Sequence, residues 1–479
     1  MNTANQRHDN CNLTRRRNRG FNTSKWTVAS GSVQASENGV HFGLKNKNGV
    51  VLQATVSSLI SGQTFRLQVD EINAPKKRLD LGPIVLMPDL KKSKLTIRDK
   101  SNSAFTIEVN DDLNGLKNKL VISADPFRMD VFSGNDRVIE SNQREMFNFE
   151  VYQTEKNNDC PEGCWEERFK DYTDTKPHGP MSVGMDFSFI DFEHLYGIPS
   201  HADSFSLKNT KDNTDPYRLY NVDIFEYELH NPMSLYGAYP LMVAHSIAPK
   251  TVGLFWNNPS ETWIDIESAK TNRLTHWFSE TGKLDVFFLL GPSASQVMAQ
   301  NAQLLGTTPL PPIYSIGYHQ CRWNYFSTEE VMDVDAKADI YDIPVDAIWL
   351  DIEYTEGRSK KYFTWDPVTF KDHIPKIKNL TAKGRRLVAI IDPHLKRDSS
   401  YSVYEDARYY GYLTKDAKED KDFEGWCWPG SSSWADFLNP EVSKWWGDKF
   451  DPKFFPGCED CLVDIWNGKI LLYSIIIEK

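Results

Sequence analysis

Pro309-Leu310-Pro311-Pro312 divides this 479-residue chain into two parts that differ in hydrophobic periodicity. Three prolines in four residues form a stiff linker, so we interpret the segment as a domain boundary. Before it, apolar and polar residues alternate with the period of half-buried β-strands. After it, short apolar strands alternate with helical segments, which is typical of a parallel β/α sheet. The chain is also longer than one compact domain usually is.

The part before the linker predicts a β-sandwich over residues 25–305, preceded by a polar and basic tail over 1–24. Strands are predicted at 65–69, 105–109, 251–256, 262–266 and 284–290. Asn48-Gly49 and Ser133-Gly134-Asn135-Asp136 lie between apolar stretches, where they favour hairpin turns. Two packed sheets are the natural way to bury so many short strands.

The part after the linker predicts the first half of a (β/α)8 barrel over 306–467, followed by a divergent tail over 468–479. About four parallel strands are expected, at 313–318, 346–350, 386–391 and 462–466. Ser327-Thr328-Glu329-Glu330 has the pattern of a capping box at a helix start. Asn439-Pro440-Glu441 combines an N-cap with proline at the first helical position.

Polar residues follow these apolar runs, where a barrel has its active-site rim: His319, Asp351, Asp392 and Asn467. Hydrolysis of a glycosidic bond needs one carboxylic acid and one carboxylate on either side of the bond. Further carboxylates can hold sugar hydroxyls through charge-assisted hydrogen bonds. Asp351 and Asp392 are therefore candidate sugar-binding residues. The alternative is that each caps the next helix or neutralises a buried cation.

Composition excludes several function classes. The net charge of −11 argues against nucleic-acid and anionic-membrane partners, which need clustered Lys and Arg. The polar start of the sequence predicts no signal peptide, and no apolar run approaches the roughly 20 residues that span a bilayer. Cys160-x3-Cys164 and Cys458-x2-Cys461 could be disulfides or half of a metal site. No second pair stands at zinc spacing, so we expect neither a metal nor another cofactor.

Several motifs, in consistent order from about Phe21 to Asn467, resemble glycoside hydrolase family 31. They are Pro180–Phe187, His194–Pro199, Tyr217–Asp223, Gly317–Trp323, Trp349–Glu353, Tyr362–Pro367, Ile391–His394 and Gly425–Gly430. The resemblance is greatest to the neutral α-glucosidases that trim N-linked glycans in the endoplasmic reticulum. It implies a galactose-mutarotase-like sandwich before the barrel, and retaining, exo-acting hydrolysis of α-linked glucose. It also implies a glucose-terminated oligosaccharide as substrate, the endoplasmic reticulum lumen as location, and a regulatory β subunit as a candidate partner.

The resemblance implies seven sugar-contacting residues. They are Asp223 on a loop of the sandwich, Asp351 and Ile352 beside the non-reducing glucose, Ile391 and Asp392 on the pocket floor, and Trp428 and Trp466 as aromatic walls. For the two tryptophans, ordinary core packing is the alternative.

The sequence departs from the family after Asn467. Relatives continue into Asp-Met-Asn-Glu-Pro, whose aspartate is the nucleophile, whereas Gly468 occupies that position here. The acid/base aspartate of relatives lies beyond position 479. We therefore expect no catalytic residue in these 479 residues. Glu353 and Asp464 are the nearby acidic side chains, and Asp464 would lie ~13 Å back along its strand.

Two alternatives follow from this departure. The chain could be a non-catalytic carbohydrate-binding or partner-binding protein that keeps a remnant of the pocket. It could also be a fragment without a function of its own, because half a barrel leaves two open sheet edges.

Overall fold

The computed structural model describes residues 25–457, except for 38, 110–116, 157–159, 161–162, 170–171, 211–213, 223, 225, 249 and 417–420. The chain divides into two compact units, residues 1–307 and 308–479, and each is described by itself. None of the helices in the described ranges has the length and apolar content that crossing a bilayer requires.

The first unit consists almost entirely of strands. Its first half contains β1 (Trp26–Val28), β2 (Gln34–Ser36), β3 (Gly39–Asn46), β4 (Val51–Leu59), β5 (Thr64–Glu71), α1 (Gly82–Val85), β6 (Lys92–Ser93), β7 (Leu95–Arg98), β8 (Ala104–Val109), β9 (Lys119–Ala124), β10 (Phe127–Ser133) and β11 (Asp136–Ser141). Its second half contains β12 (Asn148–Phe149), β13 (Glu166–Phe169), β14 (Tyr172–Thr175), β15 (Val183–Phe189), β16 (His194–Gly197), β17 (Tyr217–Leu219), β18 (Leu241–Ser246), β19 (Lys250–Trp256), β20 (Thr262–Ala269), β21 (Asn272–Ser279), β22 (Leu284–Leu289) and α2 (Ala294–Leu305).

Among the described residues, these strands form two ten-stranded antiparallel sheets and a small β13–β14 hairpin. The first large sheet has the order β1-β3-β4-β5-β22-β19-β18-β16, and in addition β2 pairs with β3 and β6 pairs with β4. The second has the order β17-β20-β21-β15-β11-β10-β9-β8-β7, and in addition β12 pairs with β15. The predicted turns at 48–49 and 133–136 connect the paired strands β3–β4 and β10–β11. Both hairpin predictions are confirmed.

The two sheets pack face to face as a β-sandwich, because their alternating apolar residues point into one shared core. Phe42 of the first sheet contacts Phe105 and Phe127 of the second, with ring centroids 5.6 and 6.0 Å apart. Phe187 and Phe288 bridge the sheets in the same way at 6.0 Å. The predicted sandwich is thus confirmed.

The described part of the second unit begins a (β/α)8 barrel. Its elements are a 3-10 helix (Ile313–Ile316), β23 (His319–Gln320), α3 (Thr328–Ile340), β24 (Ala347–Leu350), two 3-10 turns (Ile352–Tyr354 and Glu356–Arg358), α4 (His373–Ala382), β25 (Arg386–Ala389), β26 (His394–Lys396), α5 (Ser402–Tyr409), β27 (Gly425–Cys427), β28 (Gly430–Trp434) and α6 (Pro440–Asp448). Strands β23, β24 and β25 form a parallel sheet, with Trp349 paired to Val388. Helix α6 begins at Pro440 with Asn439 as its N-cap, as the sequence predicts.

A three-stranded antiparallel sheet follows β25, in the order β26-β28-β27. The sequence analysis did not predict it. His394 pairs with Trp434 and Cys427 pairs with Gly430, so β27 and β28 form a hairpin beside β26. This sheet lies in the chain just after Asp392 and therefore continues from the carboxyl end of β25.

The strand predicted at 313–318 is wrong. Residues Ile313–Ile316 form a 3-10 helix, and the strand consists of His319 and Gln320 alone. The helix follows Pro312, whose carbonyl accepts hydrogen bonds from the Ser315 backbone N–H and hydroxyl. His319 consequently lies within the strand and not after it.

Other local predictions have mixed outcomes. Ser327 is the N-cap of α3 and accepts from the Glu330 backbone N–H, but the Glu330 carboxylate accepts from Phe326 and not from Ser327. Cys160 and Cys164 form a disulfide. The predicted strand at 462–466 and the Cys458–Cys461 pair lie outside the described residues.

Candidate functional site

Asp351 and Asp392 lie at the same edge of the parallel sheet. Asp351 directly follows β24, and Asp392 comes three residues after the end of β25. The two strands are parallel neighbours, with Leu350 opposite Ala389. Because both side chains follow the carboxyl ends of adjacent strands, they belong to the edge that carries the active site in barrel enzymes.

Asp392 is a buried carboxylate held by aromatic neighbours. The Tyr362 hydroxyl donates to its Oδ2 at 2.6 Å, and the His394 Nε2 lies 3.9 Å from the same oxygen. Burial, together with the negative charge of Asp392, raises the pKa of Tyr362 well above its usual value. Tyr362 therefore remains a hydrogen-bond donor at neutral pH. Its own backbone carbonyl accepts the Tyr401 hydroxyl at 2.9 Å.

Asp351 is half-buried and begins a short helical turn. Its Oδ1 accepts the Ile352 backbone N–H at 2.8 Å. The turn ends at Tyr354, whose hydroxyl donates to the Ile390 carbonyl at 2.7 Å and so ties this segment to the end of β25. Partial burial and then the negative charge of Asp351 raise the pKa of the Cys321 thiol.

Glu353 holds the indole of Trp323 at this edge. The Trp323 Nε1 donates to Glu353 Oε1 at 2.7 Å, and the Asn324 side-chain amide donates to the same oxygen at 3.3 Å. Glu353 is buried, and its Oε2 has no hydrogen-bond partner among the described residues. The exposed ring of Trp323 is therefore anchored at its polar atom. Sequence reasoning placed Trp323 in a family motif but did not select it as a site residue.

The remaining described candidates differ in exposure. Trp428 lies at the turn between β27 and β28, is 43% exposed, and meets the His394 ring edge at a centroid distance of 6.0 Å. Ile391 is buried in the core of the second unit, whereas Ile352 is half-buried beside Asp351. Trp428 is thus linked through His394 to Asp392.

Asp223, Asp464, Trp466 and Gly468 lie outside the described residues. Within the described ranges, no group of three or more His, Cys, Asp or Glu side chains could hold a metal ion. The described site therefore offers carboxylates, a tyrosine hydroxyl and aromatic faces, a combination suited to binding a polyhydroxylated ligand.

The sequence reasoning missed Tyr362, because that residue is distant in sequence from the strand end where its hydroxyl acts.

Comparison with known families matches two consecutive parts of the chain. Residues 53–265 match the glycosyl hydrolase 31 N-terminal galactose mutarotase-like domain. Residues 308–468 match the TIM-barrel domain of glycosyl hydrolases family 31.

Curated relatives extend well beyond the matched region. The chain is 42% identical over 435 residues to a probable glucan 1,3-alpha-glucosidase of Arabidopsis thaliana. It is 39% identical over 453 residues to neutral alpha-glucosidase AB of Mus musculus. Each match covers 84% of this chain but 46% and 47% of the respective relative. The chain therefore spans about half the length of the curated relatives it matches.

Solved structures share the same architecture. The crystal structure of the ER glucosidase II heterodimeric complex, which contains the catalytic subunit and the binding domain of the regulatory subunit, matches with a TM-score of 0.86 and 38% identity. The match covers 93% of this chain and 52% of that one. A dextranase of Flavobacterium johnsoniae shares the fold, with a TM-score of 0.68 and 17% identity.

Proposed function

This chain belongs to glycoside hydrolase family 31, and from that premise we propose that it supplies the glucose-binding half of a retaining, exo-acting α-glucosidase. The observation that carries the proposal is the position of Asp351 and Asp392 beyond the carboxyl ends of β24 and β25. Identities of 42% and 39% to two α-glucosidases support the same reaction class.

In the proposed complex, Asp351 and Asp392 accept hydrogen bonds from hydroxyls of the terminal glucose. Tyr362 holds the Asp392 carboxylate in place, and the face of Trp428 covers the sugar ring. Ile352 and Ile391 contribute apolar surface, and Asp223 and Trp466 complete the pocket by family resemblance. Charged acceptors suit this task because hydrogen bonds to an ionised group are about twice as strong as neutral ones.

The chemical step needs two further carboxyl groups. In a retaining glycosidase, the nucleophile attacks the anomeric carbon while an acid ~5 Å away protonates the leaving oxygen, and water then releases the glycosyl-enzyme intermediate. Gly468 occupies the family's nucleophile position and has no side chain that could attack. We propose that a protein made of these 479 residues alone does not hydrolyse glycosides.

The proposed biological setting is N-glycan trimming in the lumen of the endoplasmic reticulum. The substrate is a glucose-terminated oligosaccharide, and the proposed partner is a glucosidase II β subunit. The similar ER glucosidase II complex, which pairs a catalytic with a regulatory subunit, supports both proposals.

Two proteins test the proposed activity. One is the 479-residue chain, and the other joins residues 1–467 to the remaining barrel of mouse neutral alpha-glucosidase AB. We expect the joined protein to hydrolyse an aryl α-glucoside and the shorter chain to show no turnover. Asp392→Asn in the joined protein should lower kcat/KM by about 10- to 100-fold, because it weakens a charged hydrogen bond.

Asp333→Asn is the matched control. Asp333 is exposed on helix α3, and its ion pair with the exposed Lys337 contributes little to stability. The substitution should leave kcat/KM unchanged. Turnover by the shorter chain that Glu353→Gln abolishes would contradict the proposed inactivity. Turnover by neither protein would contradict the proposed activity.

A further inference from the structure

Asn379 begins an Asn-x-Thr pattern, the acceptor pattern of N-linked glycosylation, on helix α4. Leu380 and Thr381 complete the pattern, and any residue except proline is accepted at its central position. Leu380 is buried in the core of the second unit, whereas Asn379 is exposed to solvent. An attached glycan is bulky and polar, so its asparagine has to lie on the surface of the folded protein. Asn379 meets this requirement.

Asn258 shows how the structure excludes a similar pattern. Asn258-Pro259-Ser260 has the same outer residue types, but proline occupies the central position. Asn258 is also buried, and its side-chain amide donates to the Thr281 carbonyl at 2.7 Å. Neither obstacle applies to Asn379, which is exposed and is followed by leucine.

The position of Asn379 is compatible with the proposed glucose pocket. Helix α4 connects the parallel strands β24 and β25, so it leads from the carboxyl end of the first to the amino end of the second. Asn379 lies in the last turn of this helix, toward the amino end of β25. Asp351 and Asp392 lie at the opposite edge of the sheet. A glycan on Asn379 would therefore leave the sugar-binding edge accessible.

The helix restricts when this asparagine can be modified. Successive residues of an α-helix are rotated by ~100°, so Asn379 and Thr381 lie about 200° apart around the helix axis. Asn379 is exposed, whereas Thr381 is half-buried. Because the acceptor pattern requires both residues, the transferring enzyme has to contact both side chains at once. The segment must therefore be modified before helix α4 forms.

We propose that Asn379 is an N-glycosylation site, modified while the chain enters the lumen of the endoplasmic reticulum. This proposal rests on the location given by the proposed function. The donor is an oligosaccharide joined to a lipid pyrophosphate. The Asn379 amide nitrogen forms a bond to the anomeric carbon of the first sugar, and the bond from that carbon to the pyrophosphate oxygen breaks. The lipid pyrophosphate leaves with the bonding electrons, and the nitrogen releases one proton, so nothing is oxidised or reduced.

The test uses the 479-residue chain with an added secretory signal sequence and the substitutions Asn12→Gln and Asn22→Gln, which remove the other patterns of this kind. Cell-free translation with membranes of the endoplasmic reticulum should give a product that carries one glycan. We expect slower migration in gel electrophoresis, reversed by peptide N-glycosidase. Mass spectrometry of the peptides should locate the glycan at Asn379.

Three variants separate the acceptor pattern from other effects on migration. Thr381→Ala should abolish the shift although Asn379 is retained, and Thr381→Ser should preserve it because the hydroxyl remains. Lys378→Gln is the matched control, since it changes an exposed neighbour and leaves the pattern intact. It should migrate with the glycosylated product.

The timing is tested with purified oligosaccharyltransferase and its lipid-linked donor. The folded chain, made without membranes, should accept no glycan, whereas a peptide of residues 374–384 should be modified because so short a segment forms no stable helix alone. An unmodified Asn379 after translation with membranes would overturn the site. Equal modification of the folded chain and the peptide would overturn the proposed order of events. Because the added signal sequence provides entry to the lumen, neither result depends on glycosidase activity, which the joined protein tests separately.

Discussion

Buried tyrosine hydroxyl groups fix the orientation of the Asp392 carboxylate. Tyr362 is fully buried and donates its hydroxyl to Asp392, while Tyr401 donates to the backbone carbonyl of Tyr362. The His394 ring meets the Tyr362 ring edge-on at 5.4 Å, which limits movement from the other side. A carboxylate held in this way loses little conformational entropy when a ligand binds. Preorganisation of the pocket therefore depends on residues that need not contact the sugar.

Tyr362→Phe should destabilise the second unit by about 2 kcal/mol, because a buried carboxylate loses a hydrogen-bond donor. Tyr401→Phe should cost only about 1 kcal/mol, since its acceptor is a neutral carbonyl. Urea unfolding of the two variants measures the difference. Equal losses would contradict the assigned role of Asp392 as the acceptor.

The stability difference between the wild type and Tyr362→Phe should depend on pH. The pKa of Tyr362 is raised in the folded state, so its contribution to stability is complete below the unfolded-state pKa of about 10. As pH rises above that value, the unfolded chain loses this proton first, and folding loses stability. The stability advantage of the wild type over Tyr362→Phe should therefore shrink above pH ~10.

At the scale of elements, a cluster of ion pairs joins helix α3 to the segment just before the N-terminal end of β25. Asp335 and Asp339 lie four residues apart, on one face of α3. Lys383 and Arg385, between α4 and β25, each contact both aspartates at 2.5–2.8 Å. Because β25 leads directly to Asp392, this cluster helps to set the position of the site from the opposite end of the strand.

Asp335 and Asp339 should contribute unequally to the free energy of unfolding. The side chain of Asp335 is 1% exposed. Asp335→Asn would remove a negative charge that balances the positive charge of Arg385, whose side chain is mostly buried. We expect a loss of about 2 kcal/mol in unfolding free energy. The side chain of Asp339 is 49% exposed, so Asp339→Asn should lower the unfolding free energy much less than Asp335→Asn does.

Salt distinguishes the two effects. The cost of Asp339→Asn should diminish in 1 M NaCl, where the Debye length falls to about 3 Å, while the cost of Asp335→Asn should persist. Denaturation of both variants at low and high salt provides the measurement. Similar costs with similar salt sensitivity would show that burial does not separate these two residues.

Elements with regular patterns could be predicted from the sequence. Strict alternation over 65–69 and 105–109 lies within β5 and β8, and Asn439-Pro440 marks the start of α6. The hairpin β27–β28 was missed because Gly430-Ser431-Ser432-Ser433 carries no apolar alternation. Its place depends on pairing with β26, a contact that no local pattern encodes.

The site could be predicted only in part, for a related reason. Asp351 and Asp392 follow apolar strands, so their shared edge can be inferred from the rule for parallel sheets. Tyr362 is 30 residues from Asp392 in sequence, and Trp323 is 30 residues from Glu353. Such contacts arise from tertiary packing between loops, and neither residue stands at a strand end that would have marked it.

At the scale of the whole molecule, the described residues of the two units differ in the core that they bury. The sandwich of the first unit buries a large core shared by two sheets, and helix α2 packs Val297 and Leu304 beside Phe255 and Leu289. The described part of the second unit has a smaller core around a parallel sheet of three strands, β23, β24 and β25. The first unit therefore has the stronger case for folding independently.

We expect residues 25–307, expressed alone, to unfold cooperatively, because the core of the sandwich lies entirely within this range. A fragment of residues 25–283 is the control. It ends just before β22, which lies between β5 and β19 in the first sheet and adds Val286 and Phe288 to the core. Loss of a central strand separates the two parts of that sheet, so the shorter fragment should show no cooperative transition. Thermal unfolding followed by circular dichroism compares the two, and a broad, non-cooperative transition in the longer fragment would show that the sandwich depends on residues after the linker.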